Sequence, residues 1–145
     1  MLCHGAGVAP SLRGQEVVGI YREVFTGIGG TTVSDLTNAV SFPNSPAASS
    51  VLTNLFEIPV NSSDNYGQRL RAVLVAPFTG DYTFYICSDD QGLLYLSTTE
   101  APVDKRLIAV EPEWNDSRNF TGTLRRTNAA AFFSAMNLTR PANRS

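Results

Sequence analysis

The sequence predicts an all-β fold, an antiparallel β-sandwich or barrel within a single domain of 145 residues. Two observations carry that expectation. Short runs alternate apolar and polar residues with the two-residue period of a half-buried strand. Pro- and Gly-bearing breaks separate these runs at intervals of about 8–12 residues, the spacing of an antiparallel sandwich or barrel. Hydrophobic content of 43% and charge of 17% fit a globular chain, whose length suits one domain better than two.

Taken in order, Met1 to Val18 is Gly-rich and weakly patterned, and reads as a linker or the remnant of something upstream. The stretch REVFTGIGGTTVSDLTN, Arg22 to Asn38, has apolar points at Val24, Phe25, Ile28, Val33 and Leu36. Its Gly29-Gly30 pair and β-branched Thr31, Thr32 and Val33 argue against one continuous helix, while Ser34-Asp35-Leu36 suits a single helical turn. Phe42 to Ser50 is a loop by composition. VLTNLFEIPV, Val51 to Val60, reads as a β-like run ended by the polar cluster Asn61 to Asn65. In RLRAVLVAP, Leu70, Ala72, Leu74 and Ala76 alternate with Arg69, Arg71, Val73 and Val75, and Pro77 and Gly80 close the strand. Tyr82 to Cys87, Leu93 to Leu96 and Arg106 to Val110 complete the strand-like series. Beyond Trp114 the pattern becomes a polar loop. Ala129, Ala130, Ala131 and Met136 then favour a short helix over Asn128 to Leu138, with Phe132, Phe133, Met136 and Leu138 as its apolar face.

Composition excludes several classes. A net charge of −2 offers no electrostatic attraction to nucleic acid or an anionic membrane. Arg118, Arg125, Arg126, Arg140 and Arg144 are locally basic but lack the interleaved aromatics of a stacking platform, so they read as a solvated face. No apolar run approaches the roughly 20 residues of a membrane helix, and the N-terminus lacks the charged and apolar regions of a signal peptide. Cys3 and Cys87 make no disulfide framework, and Cys87, inside a strand pattern, reads as a small buried hydrophobe.

Candidate chemistry is sparse. The one histidine, His4, lies in the weakly patterned start, and a Ser-His-Asp or Cys-His pair would need it folded back onto the sheet, which argues against such chemistry. Gly27-Ile28-Gly29-Gly30 lacks the spacing and following Lys of a phosphate loop. Asn61, Asn115, Asn119 and Asn137 each begin an N-x-[ST] triplet, which a chain rich in Asn, Ser and Thr acquires by chance. Cys3-His4-Gly5 reads as the second half of a C-x-x-C-H haem signature, either by chance or as the trace of a cytochrome module upstream. That leaves Asp89 and Asp90, between two apolar runs. One reading is a polar hairpin, Asp-Asp-Gln-Gly, with Gly92 taking positive φ, and locally this is the simpler one. The other is a Ca²⁺ site, since a hard cation takes several oxygen ligands. Consecutive strand residues point to opposite faces, so two neighbouring carboxylates reach one ion only where the backbone breaks.

Tyr66 to Ser97 supplies a longer pattern. Ala76-Pro77-Phe78-Thr79-Gly80-Asp81-Tyr82-Thr83-Phe84 is followed by Ser88-Asp89-Asp90-Gln91-Gly92-Leu93-Leu94-Tyr95-Leu96. This combination resembles the protective-antigen-type carbohydrate-binding domain, the PA-fourteen module, and Arg22 to Pro46 is similar to the opening of a bacterial subgroup. The resemblance spans about Gly19 to Ser145. It implies an antiparallel β-sandwich or barrel acting as a non-catalytic accessory module. In the yeast flocculin and adhesin lectins of this family the acidic pair holds Ca²⁺ through a cis peptide, and sugar hydroxyls complete the coordination. Carried over, Asp89 and Asp90 become the ligands of Ca²⁺ and of glycan. The family's later Asn ligand and its closing strands have no counterpart before Ser145, so residues 19–145 are expected to form a partial module.

The expectation is therefore a carbohydrate-binding module, covalently part of a longer multidomain chain and binding a glycan or polysaccharide through Ca²⁺. Its parent is expected to be extracellular, surface-bound or periplasmic, with no nucleic acid partner and no membrane insertion. Two alternatives stand beside it. One is a structural or protein-interaction β module without sugar or calcium. The other is a fragment of a c-type cytochrome-linked multidomain protein.

Overall fold

Three small antiparallel sheets and almost no helix make up the computed structural model, which describes residues 19–97, 99, 101–120 and 134–138. The elements run β1 (Ile20–Thr26), α1 (Val33–Thr37), β2 (Ala48–Leu52), β3 (Tyr66–Arg71), β4 (Gly80–Phe84) and β5 (Gly92–Leu96). A 3₁₀ turn (Pro102–Asp104), β6 (Arg106–Glu111) and β7 (Ser134–Leu138) follow. The sheets are β2-β1-β3, β4-β7 and β5-β6. The fold is all-β, and no closed barrel forms among the described residues.

β1 is the central strand, and charge fixes its register as much as apolar burial does. Glu23 and Arg69 stand directly opposite each other across β1 and β3. Both are 5% exposed, and Arg69 Nε and Nη2 donate to the two Glu23 carboxylate oxygens at 2.6 and 2.8 Å. Arg71 adds a second contact to Glu23 at 3.2 Å, with its guanidinium 5.0 Å from the Tyr21 ring centre. The planar fork of Arg suits this two-point contact with a carboxylate.

The apolar core sits beside that pair. Phe25, Ile28 and Leu36 are buried together, with Ala39 and Phe42 packed against them. The Phe25 and Phe42 rings lie 5.2 Å apart at a tilt of 55°, a favourable aromatic geometry, and the Arg69 guanidinium sits 5.3 Å from the Phe42 ring centre. Arg69 Nη2 also donates to the Pro43 carbonyl at 3.1 Å, tying the loop after α1 to the sheet. Gly67, paired with Phe25 across the ladder, leaves room for Leu36: a Cβ there would lie 2.8–3.0 Å from the Leu36 side chain. α1 is capped by Thr32, whose hydroxyl accepts from the Asp35 amide while Asp35 accepts from the Thr32 backbone N–H at 2.8 Å.

Several expectations need correction. Val51 to Val60 is not one strand, because β2 begins at Ala48, inside the expected loop, and ends at Leu52. The expected strand through Pro77 stops at Arg71, and Val73, Leu74, Val75 and Phe78 lie exposed beyond it. The helix expected over Asn128 to Leu138 is overturned where it can be seen: Ser134–Leu138 is β7, paired antiparallel with β4. Pairing with a strand overrides the helix preference of its Ala and Met residues. Residues 128–133, the Met1 to Val18 segment and Cys3-His4 lie outside the described residues. No helix among the described residues is long and apolar enough to cross a membrane.

Two outcomes follow. Arg69→Met leaves Glu23 buried beside Arg71 alone and is expected to cost about 3–5 kcal/mol in urea unfolding, with Glu23→Leu in the same chain recovering much of the loss. The hydrogen bonds from Thr32 hold the Asp35 carboxyl below its ordinary value of 3.8. A lowered carboxyl pKa stabilises the fold above the unfolded-state value and stops doing so as pH falls through the folded-state one. The difference in Tm between the native chain and Asp35→Asn should hold at neutral pH and shrink only below about pH 4.

Candidate functional site

The segment between β4 and β5, Tyr85 to Gln91, pairs with no strand among the described residues. β4 pairs with β7 and β5 with β6, so Asp89-Asp90 does not close a hairpin between its flanking strands. Gly92 does not take positive φ either. It is buried because the chain folds back over it, and a Cβ there would meet Ser88 Oγ and Ile86 Cδ1. The hairpin reading of the acidic pair is thereby corrected.

Two loops hold the segment in place of a strand. On one side, the Gln91 amide donates to the Thr31 carbonyl at 3.1 Å, and Gln91 Oε1 accepts from the Val33 amide at 2.9 Å. Both bonds come from one residue next to the acidic pair, and they seat the loop before α1 beside it. On the other side, the Asn115 amide donates to the Ser88 carbonyl at 2.9 Å. Asn115 is itself fixed from below: its Nδ2 donates to Glu111 Oε2 at 2.7 Å and to the Asn119 carbonyl at 3.2 Å, and its Oδ1 accepts from Asn119 Nδ2 at 2.9 Å. Glu111 is fully buried at the end of β6. The Tyr85 and Phe120 rings, 5.5 Å apart, pack the same loop against the segment. Cys87 is half-buried, with Asn115 Nδ2 3.7 Å from its sulfur, rather than a fully buried hydrophobe.

These contacts place Asp90, with Asp89 next to it in the chain, in the wall of an open cavity of about 320 Å³ lined also by Thr31, Pro112, Glu113 and Trp114. The Asp89–Asp90 peptide bond is cis. Asp89 is exposed, yet partial desolvation of its carboxyl and then the negative charge of Asp90 push its pKa above the ordinary value, while a hydrogen bond from Trp114 acts the other way. The two carboxylates therefore sit close enough to repel each other. Among the described residues, no three His, Cys, Asp or Glu side chains gather as a metal-binding group. Protein oxygen ligands for an ion would have to include groups other than carboxylates, such as backbone carbonyls or the Thr31 hydroxyl.

Glu113 and Trp114 escape sequence reasoning. Trp114 stands alone, and proximity to the acidic pair arises only because Asn115 pins its loop to Ser88. The one available signal was the N-x-[ST] pair at Asn115 and Asn119, four residues apart, in which a buried Asn115 is hydrogen-bonded to a half-buried Asn119. Comparison with family models, curated proteins and solved structures finds no match to this chain.

Because Asn115 carries both the scaffold bond and the contact to Glu111, Asn115→Ala should lower stability by about 1–3 kcal/mol, the cost of leaving buried polar groups unpaired. The same substitution should shift the Trp114 emission toward that of a solvated indole before global unfolding. Thermal melts followed by circular dichroism and by fluorescence would separate the two effects.

Proposed function

We propose that residues 19–145 form a carbohydrate-binding module in which Asp89 and Asp90 hold Ca²⁺ and present it to a glycan. The observation that carries this reading is the placement of two adjacent carboxyls beside an open cavity that Asp90 lines, with partial desolvation and then the charge of Asp90 raising the Asp89 pKa. Like charges brought together without a cation raise each other's proton affinity, and a bound divalent ion relieves the same repulsion. The donors are hard oxygens, which suits Ca²⁺ and disfavours softer metals. Bound there, Ca²⁺ would supply a Lewis-acidic centre that accepts vicinal sugar hydroxyls.

The chain's own residues do the rest. Asp89 and Asp90 bring two negative charges, Gln91 and Asn115 keep the segment that bears them from collapsing, and Trp114 places an aromatic surface beside them. The resemblance of Tyr66 to Ser97 to PA-fourteen modules supports the same reading. It also supports a sandwich architecture and an accessory role, covalently within a larger bacterial extracytoplasmic protein. The module contributes no bond-breaking chemistry in this reading.

A ligand that binds only the folded state raises its stability, by about 2.7 kcal/mol at a concentration a hundred times its dissociation constant. Millimolar Ca²⁺ should therefore raise the Tm of the chain by several degrees, a chelator should reverse it, and Asp89→Asn or Asp90→Asn should abolish it. No shift in the native chain, or an equal shift in both variants, would favour a structural or protein-interaction module instead.

A further inference from the structure

We propose that residues 72–76 are the interface of a homodimer, in which this run from two copies pairs as an antiparallel ladder about a two-fold axis at Leu74. The dimer depends on neither sugar nor calcium. It begins where β3 leaves its sheet. The ladder of β3 with β1 ends at Arg71, opposite Tyr21, and the chain runs on through Ala72-Val73-Leu74-Val75-Ala76 without a turn or bend. Among the described residues no strand pairs with these five. Val73, Leu74 and Val75 are 77%, 53% and 65% exposed, while Ala76 is buried. Exposure thus alternates along the run, as it does in an extended strand with one face turned outward.

Such a run is an open template. It is uncharged and rich in Val, and its backbone N–H and C=O groups join no ladder among the described residues. Unpaired strand edges recruit another strand, and exposed apolar side chains on the recruited strand are buried in the same step. Phe78, 71% exposed, extends the apolar stretch past Pro77.

The order of the residues says which strand answers it. From either end the run reads Ala-Val-Leu-Val-Ala. Antiparallel pairing about Leu74 therefore matches each residue with its own kind: Leu74 with Leu74 of the second copy, Val73 with Val75, and Ala72 with Ala76. The Val pairs fall on one face, where β-branched pairs stabilise a ladder, and Leu74 falls between the small Ala pairs on the other. No charged residue lies between Arg71 and Asp81, and Arg71 falls opposite Pro77 of the second copy, so no like charges meet. Pro77 lacks the N–H that would carry the ladder on. A two-fold pair of this sort is closed, whereas parallel stacking in register would leave a free edge on every copy and grow into a fibre. Five paired residues a side make a small interface, so the dimer is weak and concentration-dependent.

Sedimentation velocity of the intact chain between about 5 and 500 µM should show monomer giving way to dimer, and nothing larger. Val73 and Val75 are exposed, so charged replacements there should leave the circular dichroism spectrum and melting curve of the monomer unchanged. Val73→Lys with Val75→Lys sets Lys against Lys in both outer pairs and should weaken association by about tenfold or more. Val73→Glu with Val75→Lys sets Glu against Lys in this register alone and should recover most of the loss. A monomer at every concentration would overturn the proposal, and protection of the 72–76 amides from hydrogen exchange in that monomer would show that the same chain covers the run. Open-ended polymers would overturn it in favour of parallel stacking. Equal loss in both variants, or loss in neither, would place the contact elsewhere on the molecule and overturn it too.

Discussion

A buried charge must be matched, and in this chain that requirement organises the three-stranded sheet, the largest among the described residues. Glu23 lies in the middle of β1, where an apolar residue would be the ordinary choice, and Arg69 answers it from β3 with two short hydrogen bonds. The pairing is unforgiving of slippage: moving β3 by one residue would send Arg69 to the opposite face and leave Glu23 inside without its main partner. The same Arg69 covers the Phe42 ring and bonds the Pro43 carbonyl, so the loop after α1 is located by the ion pair as well as by Phe25. Apolar burial supplies the driving force here, and the charge pair supplies the register.

A second buried carboxyl does comparable work at the other end of the molecule. Glu111 ends β6 directly opposite Gly92, the first residue of β5. Its partner, Asn115, is four residues on, and the loop between them arches over Pro112, Glu113 and Trp114. The bond from Asn115 Nδ2 to Glu111 Oε2 thus sets where that loop returns. The Asn115 amide then reaches Ser88, and the acidic segment is fixed from the side opposite Gln91. The distance from an interior carboxyl to the candidate site is a matter of two hydrogen bonds.

These devices explain what could and could not be read from the sequence. Gly92–Leu96 and Arg106–Glu111 were legible because apolar runs bounded by turn residues mark strands whatever they pair with. The central strand was not, since a strand holding Glu23 between Val24 and Arg22 has no clean alternation, and its interior charge looks like a surface one. Ala72 to Ala76 misled in the opposite direction, having strand composition without a ladder among the described residues. The Ala and Met residues of β7 favour helix locally, and only the partner strand β4 reverses that preference. At the site, Asp89 and Asp90 stood out as adjacent carboxyls between apolar runs. Thr31 and Trp114 did not, because they lie 58 residues before and 25 after Asp89 in the chain and meet it only through Gln91 and Asn115.

The manner of that meeting separates frame from chemistry. The ties of the acidic segment to its neighbours run to backbone atoms: Gln91 to Thr31, Val33 to Gln91, and Asn115 to Ser88. None depends on the side chains of Asp89, Asp90 or Glu113. A scaffold held this way keeps these three bonds when Asp89 or Asp90 is replaced. Trp114 lines the same cavity as Asp90 and favours the charged form of the neighbouring Asp89. Partial desolvation and then the charge of Asp90 favour protonation of Asp89, while Trp114 favours its charged form.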